Sequence, residues 1–272
     1  MTTSSSVEAL AVRCLVAHGL EVHEVDVEGV EVGLPGDPDA RRATLSFGSL
    51  RRVLAMAPHD EHEARIAAWG AAAAAVLRGE RPPGPVQERL VPRLLGAPDP
   101  RLWTTALADG LHLAVAEDLP GRQRLLTPFD LPRLGLAVAD LRDRAVRNLA
   151  GMTPPPEALD APRGAMTWRV GDGLDAARML LLCQPPLRTL GALAVVPARD
   201  LCWWIPVVGD RTVRDGVHLW LAARRLGPVP YPLSPKLWWA HAGGIDPVDV
   251  RMERGAVHVV LPESLAVTLR TG

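Results

Sequence analysis

The chain is almost without lysine, asparagine and tyrosine. Among its 30 basic residues Lys236 is the only lysine and the rest are arginine. Asn148 is the only asparagine and Tyr231 the only tyrosine, and phenylalanine and isoleucine occur only at Phe47, Phe129, Ile66, Ile205 and Ile245. All five residue types use AT-rich codons, so a GC-rich genome accounts for the pattern without a demand of the fold. The arginines are therefore discounted as a sign of phosphate binding, although arginine is the better phosphate ligand.

Cysteine is scarce and scattered. Cys14, Cys183 and Cys202 form no CxxC and no Cys/His cluster, which excludes a disulfide scaffold and gives no zinc or redox spacing. Cys202, among Leu201, Trp203 and Trp204, reads as a small buried apolar residue. Long apolar runs are missing too. The cleanest, residues 69–77, falls far short of the ~18–20 needed to cross a bilayer. The start, Met-Thr-Thr-Ser-Ser-Ser, has neither the basic nor the apolar region of a signal peptide, so a cytoplasmic protein is expected. Charge of one sign is also absent. The formal net charge is −1, which leaves no electrostatic footprint for nucleic acid or an anionic membrane. A length of 272 residues suits one large domain or two smaller ones.

The patterns that are present predict an α+β protein. Residues 5–18 have helical periodicity stopped by Gly19; residues 21–34 alternate as two strands about Glu28-Gly29; residues 43–47 form a third strand. Helices follow at 49–56 and 61–77, the second opened by Asp60 as N-cap. This gives a small α-β-β-β-α-α module over 1–80. A proline-rich linker at 81–87 separates it from a larger mixed α+β domain over 88–272. In that domain, residues 111–116 read as a strand and Glu117-Asp118-Leu-Pro-Gly121 as a turn. Thr127-Pro128-Phe129-Asp130 reads as a helix start, broken at Gly135, and 137–150 as a helix. A loop is expected at 151–162, strands at 166–170, 193–196 and 201–207, and a helix at 174–182 stopped by Pro185 and Pro186. A helix at 213–226 and strands at 237–241, 249–253 and 257–261 complete the domain.

Several of these segments carry a resemblance. Glu117-Asp118-Leu-Pro, Leu-Thr-Pro-Phe-Asp-Leu, the helix end Arg147-Asn148-Leu149, Gly171-Asp-Gly-Leu-Asp-Ala-Ala-Arg-Met-Leu-Leu, Ala194-Val-Val-Pro-Ala-Arg-Asp200 and Pro232-Leu-Ser-Pro-Lys-Leu237 occur in an order and spacing that resembles the YtpQ-type bacterial family of unknown function, over about residues 88–245. The amino-terminal module matches that family only in element order. The resemblance implies a cytosolic α+β protein and supplies no activity.

No catalytic residue, metal set or cofactor is assigned from sequence. Gly171-Asp-Gly173-Leu-Asp-Ala176 fits a dinucleotide fingerprint formally, but the acid expected about 20 residues on is missing, and a turn into a helix is the plainer reading. His59 and His62, three apart, suit a shared metal or a solvated, acid-rich first turn. Two functional expectations remain. The first is a non-enzymatic interaction protein, binding a protein partner or its own copy. Its surface would come from Trp203-Trp204 and Trp238-Trp239, where one ring of each pair faces each side of a strand. If helices cover both faces, all four rings are core; if one face is open, Trp204, Trp238 and Trp239 line a binding surface. The second is a small-ligand binder or enzyme with a polar pocket around Asp118, Asn148, Arg199, Asp200 and Lys236. Tyr231 and Ser234, beside Lys236, complete the candidate residues.

Overall fold

The computed structural model describes residues 4–26, 28–36, 42–80, 82–184, 190–254 and 256–271. Residues 1–3, Val27, part of the loop expected at 35–39, Arg81 of the proline-rich segment, and Pro185 and Pro186 lie outside the described residues. The fold class is α+β, with three antiparallel sheets. The chain divides into two compact units. The first comprises Met1–Val91, Ala116–Pro154 and Val170–Asp172; the second comprises Pro92–Val115, Pro155–Arg169 and Gly173–Gly272.

The first unit opens with α1 (Ser4–Ala17), then β1 (Glu21–Val25), β2 (Gly29–Gly33) and β3 (Ala43–Ser46), then α2 (Gly48–Ala55) and α3 (His62–Leu77). This is the expected α-β-β-β-α-α order. Its three strands pair antiparallel in sequence order. Leu15, Val32, Leu45 and Leu50 are fully buried in one cluster with Phe47, Ile66 and Trp69. Each such side chain contributes about 1.5–3 kcal/mol relative to exposure. One detail differs from expectation. Asp60 is not an N-cap but lies inside a 3₁₀ turn, His59–Glu61, that starts after Pro58 and runs directly into α3.

Two strands, β4 (Leu90–Leu95) and β6 (Leu111–Leu119), carry the chain from one unit to the other; β5 (Thr104–Ala108) lies between them in sequence. The expected turn at 117–121 is a correction. Glu117 and Asp118 continue β6 and pair with Arg124 and Gln123 of β7 (Arg122–Leu125), so the reversal is confined to Pro120 and Gly121. Arginine partners neutralise both carboxylates, and this removes the usual objection to acids in a half-buried strand. After β7, Thr127 and Asp130 form a capping box that starts a 3₁₀ turn, Pro128–Asp130, running directly into the short helix α4 (Leu131–Leu134), which ends at Gly135 in a left-handed conformation at φ +62°. The amphipathic α5 (Val138–Gly151) follows, burying Leu141, Ala145 and Leu149.

The second unit is built on a seven-stranded sheet. Its strands are β8 (Glu157–Ala158), β9 (Met166–Trp168), β10 (Ala192–Ala198), β11 (Leu201–Pro206), β12 (Leu237–His241), β13 (Gly244–Glu253) and β14 (Ala256–Val260), in the order β14-β13-β12-β10-β11-β9-β8. α6 (Asp210–Arg224) lies between β11 and β12 in sequence, and α7 (Glu263–Thr271) closes the chain. The sequence gives no expectation of β8 or α7. The segment expected as an α-helix at 174–182 is instead a 3₁₀ helix, Ala176–Cys183. It packs on β10, β11 and β12, and every residue of it except Leu181 is buried.

Register explains the tryptophans. Ala194 pairs with Trp204 on one side and Trp238 on the other, so a small residue separates two indoles in one row. The opposite face carries Leu193, Trp203 and Trp239 under Leu219 and Trp220 of α6 and Leu265 of α7. The 3₁₀ helix covers the first face and α6 and α7 the second. Trp203, Trp238 and Trp239 are therefore core, and an open tryptophan surface is corrected. Only Trp204 is part-exposed, stacked on Trp168 at 5.4 Å.

Candidate functional site

Asp118 and Asn148 belong to the first unit and the other eight candidate residues to the second. Asn148 is structural: its side-chain amide donates to the carbonyls of Gln87 and Leu90 at 2.8 and 2.9 Å. In the second unit Arg199 and Asp200 form the tight turn between β10 and β11 and pair with each other at 3.1 Å. The Arg199 guanidinium lies 3.7 Å from the centre of the Tyr231 ring, and its backbone N–H donates to the Tyr231 carbonyl. Ser234 is buried and its N–H donates to Val196; its hydroxyl accepts from the Lys236 N–H at 3.3 Å. Lys236 Nζ binds the carboxylate and carbonyl of Asp109 at 2.9 Å. These contacts tie the 231–236 segment to neighbouring strands. Ser234 alone lines a hollow, of about 520 Å³. The Gly171–Ala176 turn is also structural. The Ala176 N–H, which a bound pyrophosphate would need, donates to the Arg199 carbonyl at 3.0 Å. His59 and His62 meet edge to face at 4.9 Å, and among the described residues no group of three or more metal-ligating side chains gathers.

Asp118 leads to the more informative site. It lies on the wall of a cleft of about 550 Å³ within the first unit, lined by Ser49, Arg52, Trp69, Ala72, Val76 and Leu119 among others. The cleft follows from α3. Ala68, Ala72 and Ala75 recur at i, i+4 and i+7 and share one helix face, so methyl groups stand where larger side chains would fill the trough. Trp69 is held in the wall by an indole N–H bond to Ser49 Oγ at 2.9 Å; the same oxygen accepts from Gly121 N–H at 3.1 Å. Beneath them Arg52, 5 % exposed, bridges Asp118 and Asp172. Charges this deep require such pairing, because a lone buried ion costs several kcal/mol.

A second hollow of about 440 Å³ adjoins the first, and Val76, Glu80, Pro82, Arg89 and Leu119 line both. Its walls are arginine-rich. Arg89 binds Glu117 at 2.9 Å, and its other terminal nitrogen donates to the carbonyls of Pro83 and Gly84, fastening the proline-rich segment. Arg124 binds Glu117 at 3.1 Å and Asp130 at 2.7 Å. Burial pushes the Asp130 carboxyl up, but hydrogen bonds from Arg124 and Thr127 outweigh it and hold the pKa below the ordinary aspartate value. Asp130 in turn raises Arg124. Arg122 and Arg133 also line this hollow, are exposed, and make no ion pair among the described residues. An alanine-lined hollow thus stands beside one that carries two unneutralised guanidiniums. That arrangement suits an apolar body bearing an anionic head.

Sequence reasoning found Asp118 and missed the rest of the cleft. The only local signal for it lies in the alanines of α3 and in Arg122, Arg124 and Arg133, which a GC-rich codon bias and ordinary helix propensity account for equally well. Comparison of the chain with protein-family models, with curated proteins and with solved structures finds no match.

Proposed function

We propose that the first unit is the receptor site of a cytoplasmic binding protein for a small amphipathic anion, a carboxylate or phosphate ester on an apolar body. The observation that carries this reading is that the alanine-floored trough adjoins, across shared lining residues, the hollow that holds the unpaired guanidiniums of Arg122 and Arg133. Volume supports it, since small-molecule sites run to about 300–1,000 Å³ and are mostly apolar with a few placed polar groups. Binding is favoured over catalysis because Glu117 and Asp118 are both engaged by arginines and hold the cleft wall together. The three free thiols suit a reducing compartment.

Calorimetric titration with an aryl or medium-chain carboxylate, the matching phosphate ester and the matching alcohol tests the reading. The anions are expected to bind and the alcohol to bind more weakly, since a charge-assisted hydrogen bond contributes about 1.5–3 kcal/mol. Arg122→Glu with Arg133→Glu should remove that preference, and Ala72→Trp should block both kinds of ligand by filling the trough. Equal affinity for alcohol and anion, or full binding by Ala72→Trp, would sink the proposal. Association with a protein partner draws its support from a strand edge of the second unit.

A further inference from the structure

The rim of each sheet shows how edge-to-edge association is avoided. β1 carries Glu21 and Glu24 and a register shift; β7 carries Arg122 and Arg124. β4 contains Pro92 and Arg93; β5 has a register shift between Ala106 and Ala108. β3 has four residues and β8 only two. Charge, proline, bulges and shortness are the usual devices that stop a free edge from pairing with another chain.

β14 has none of them. Its sequence is Ala-Val-His-Val-Val, five residues without proline, lysine, acid or register shift. It pairs with β13 along its whole length, and among the described residues no backbone hydrogen bond reaches its other edge. Four of its five residues are exposed, Val260 at 62 %. On one face, Val257 and Val259 stand beside Met252 and Val250 of β13. Val250 and Val259 pack against the core that includes Leu265 of α7, while Met252 and Val257 extend the same stripe into solvent.

We propose that β14 is a self-association edge, on which a second copy of this chain adds its own β14 antiparallel about a two-fold axis at His258. The strand is self-complementary in that register. Val257 of each copy lies opposite Val259 of the other on one face, and Ala256 lies opposite Val260. Cross-strand pairs of β-branched residues are favourable, and a two-fold interface requires this reciprocity. The free backbone groups supply the affinity, as in other strand additions.

Light scattering coupled to size exclusion, across two decades of protein concentration, is the test. The native chain is expected to shift from monomer to dimer. His258→Glu and His258→Lys each place like charges opposite one another across the axis and should weaken the dimer by at least about tenfold. An equimolar mixture of the two variants should restore it. Val260→Lys, at an exposed position, should weaken association in the same way; circular dichroism melting of each variant separates loss of pairing from loss of folding. If His258→Glu fails to fold, Val260→Lys alone decides. A monomer at every concentration, a dimer indifferent to Val260→Lys, or no rescue by mixing two folded His258 variants would overturn the proposal.

Discussion

At the scale of single residues, burial decides reactivity. Cys202 is fully buried, and burial, with Asp175 adding to it, pushes its thiol far above the ordinary range. Cys183 is buried with its Sγ donating to the Gly244 carbonyl, whereas Cys14 is only half-buried. A thiol reagent applied to the native protein, followed by mass spectrometry, should therefore modify Cys14 first and the other two only after unfolding. Arg178 and Asp175, neither exposed, pair at 2.7 Å at the start of the 3₁₀ helix. Arg178→Leu removes a charged partner from a buried carboxylate and should cost about 3–5 kcal/mol; chemical denaturation would measure it, and adding Asp175→Leu should recover part of the loss. Asp130 sets an acid limit. Its folded-state pKa is lowered, so its contribution is present above the unfolded value near 3.9 and is lost as pH falls through the folded value. Asp130→Asn should accordingly cost about 1 kcal/mol at neutral pH and nothing once the native carboxyl is protonated, as denaturation curves at several pH values would show.

Elements were legible where a local rule and a tertiary demand agreed. The three helices and three strands of the opening module follow from periodicity, and the Thr127 capping box from its residues. Failures came where distant partners decided. Nothing near Glu117 and Asp118 in sequence announces that Arg52 and Arg89 will neutralise them, so they read as a turn. The 174–182 segment has helical periodicity, yet it winds as a 3₁₀ helix with Asp175 and Arg178 buried against the sheet. The tryptophan pairs lie on strands as expected, and helices are expected at 174–182 and 213–226, but no local pattern tells that the first lies over one face of the sheet and α6, with the unexpected α7, over the other. α6 shows a tertiary demand overriding propensity. A Cβ at Gly216 would meet Leu193 Cδ1 at 2.5 Å. Gly216→Ala, which gains about 1 kcal/mol in an exposed helix, should here destabilise by about 1–3 kcal/mol through overpacking, read as a lowered melting temperature.

For the whole molecule, the division of the chain matters more than the proline-rich segment at 82–85. The first unit recruits Ala116–Pro154 and Val170–Asp172 in addition to its amino-terminal residues. A fragment of residues 1–87 would keep α1 to α3 but lose Asp118 and Asp172, both partners of buried Arg52. Such a fragment should lack the cooperative thermal transition expected of the full chain; a sharp transition in the fragment would contradict the division.

The ion pair of Arg52 with Asp172, 120 residues apart in sequence, also has a consequence in time. At roughly 5–20 residues per second of synthesis, that interval lasts on the order of ten seconds. During it the nascent amino-terminal helices hold an exposed guanidinium and an unfinished trough while the ribosome delivers the strands that complete them. The residues that line the cleft are complete by Leu134, whereas the second carboxylate of Arg52 arrives only with Asp172, so a ribosome stalled between them would leave the buried guanidinium with one of its two acidic partners.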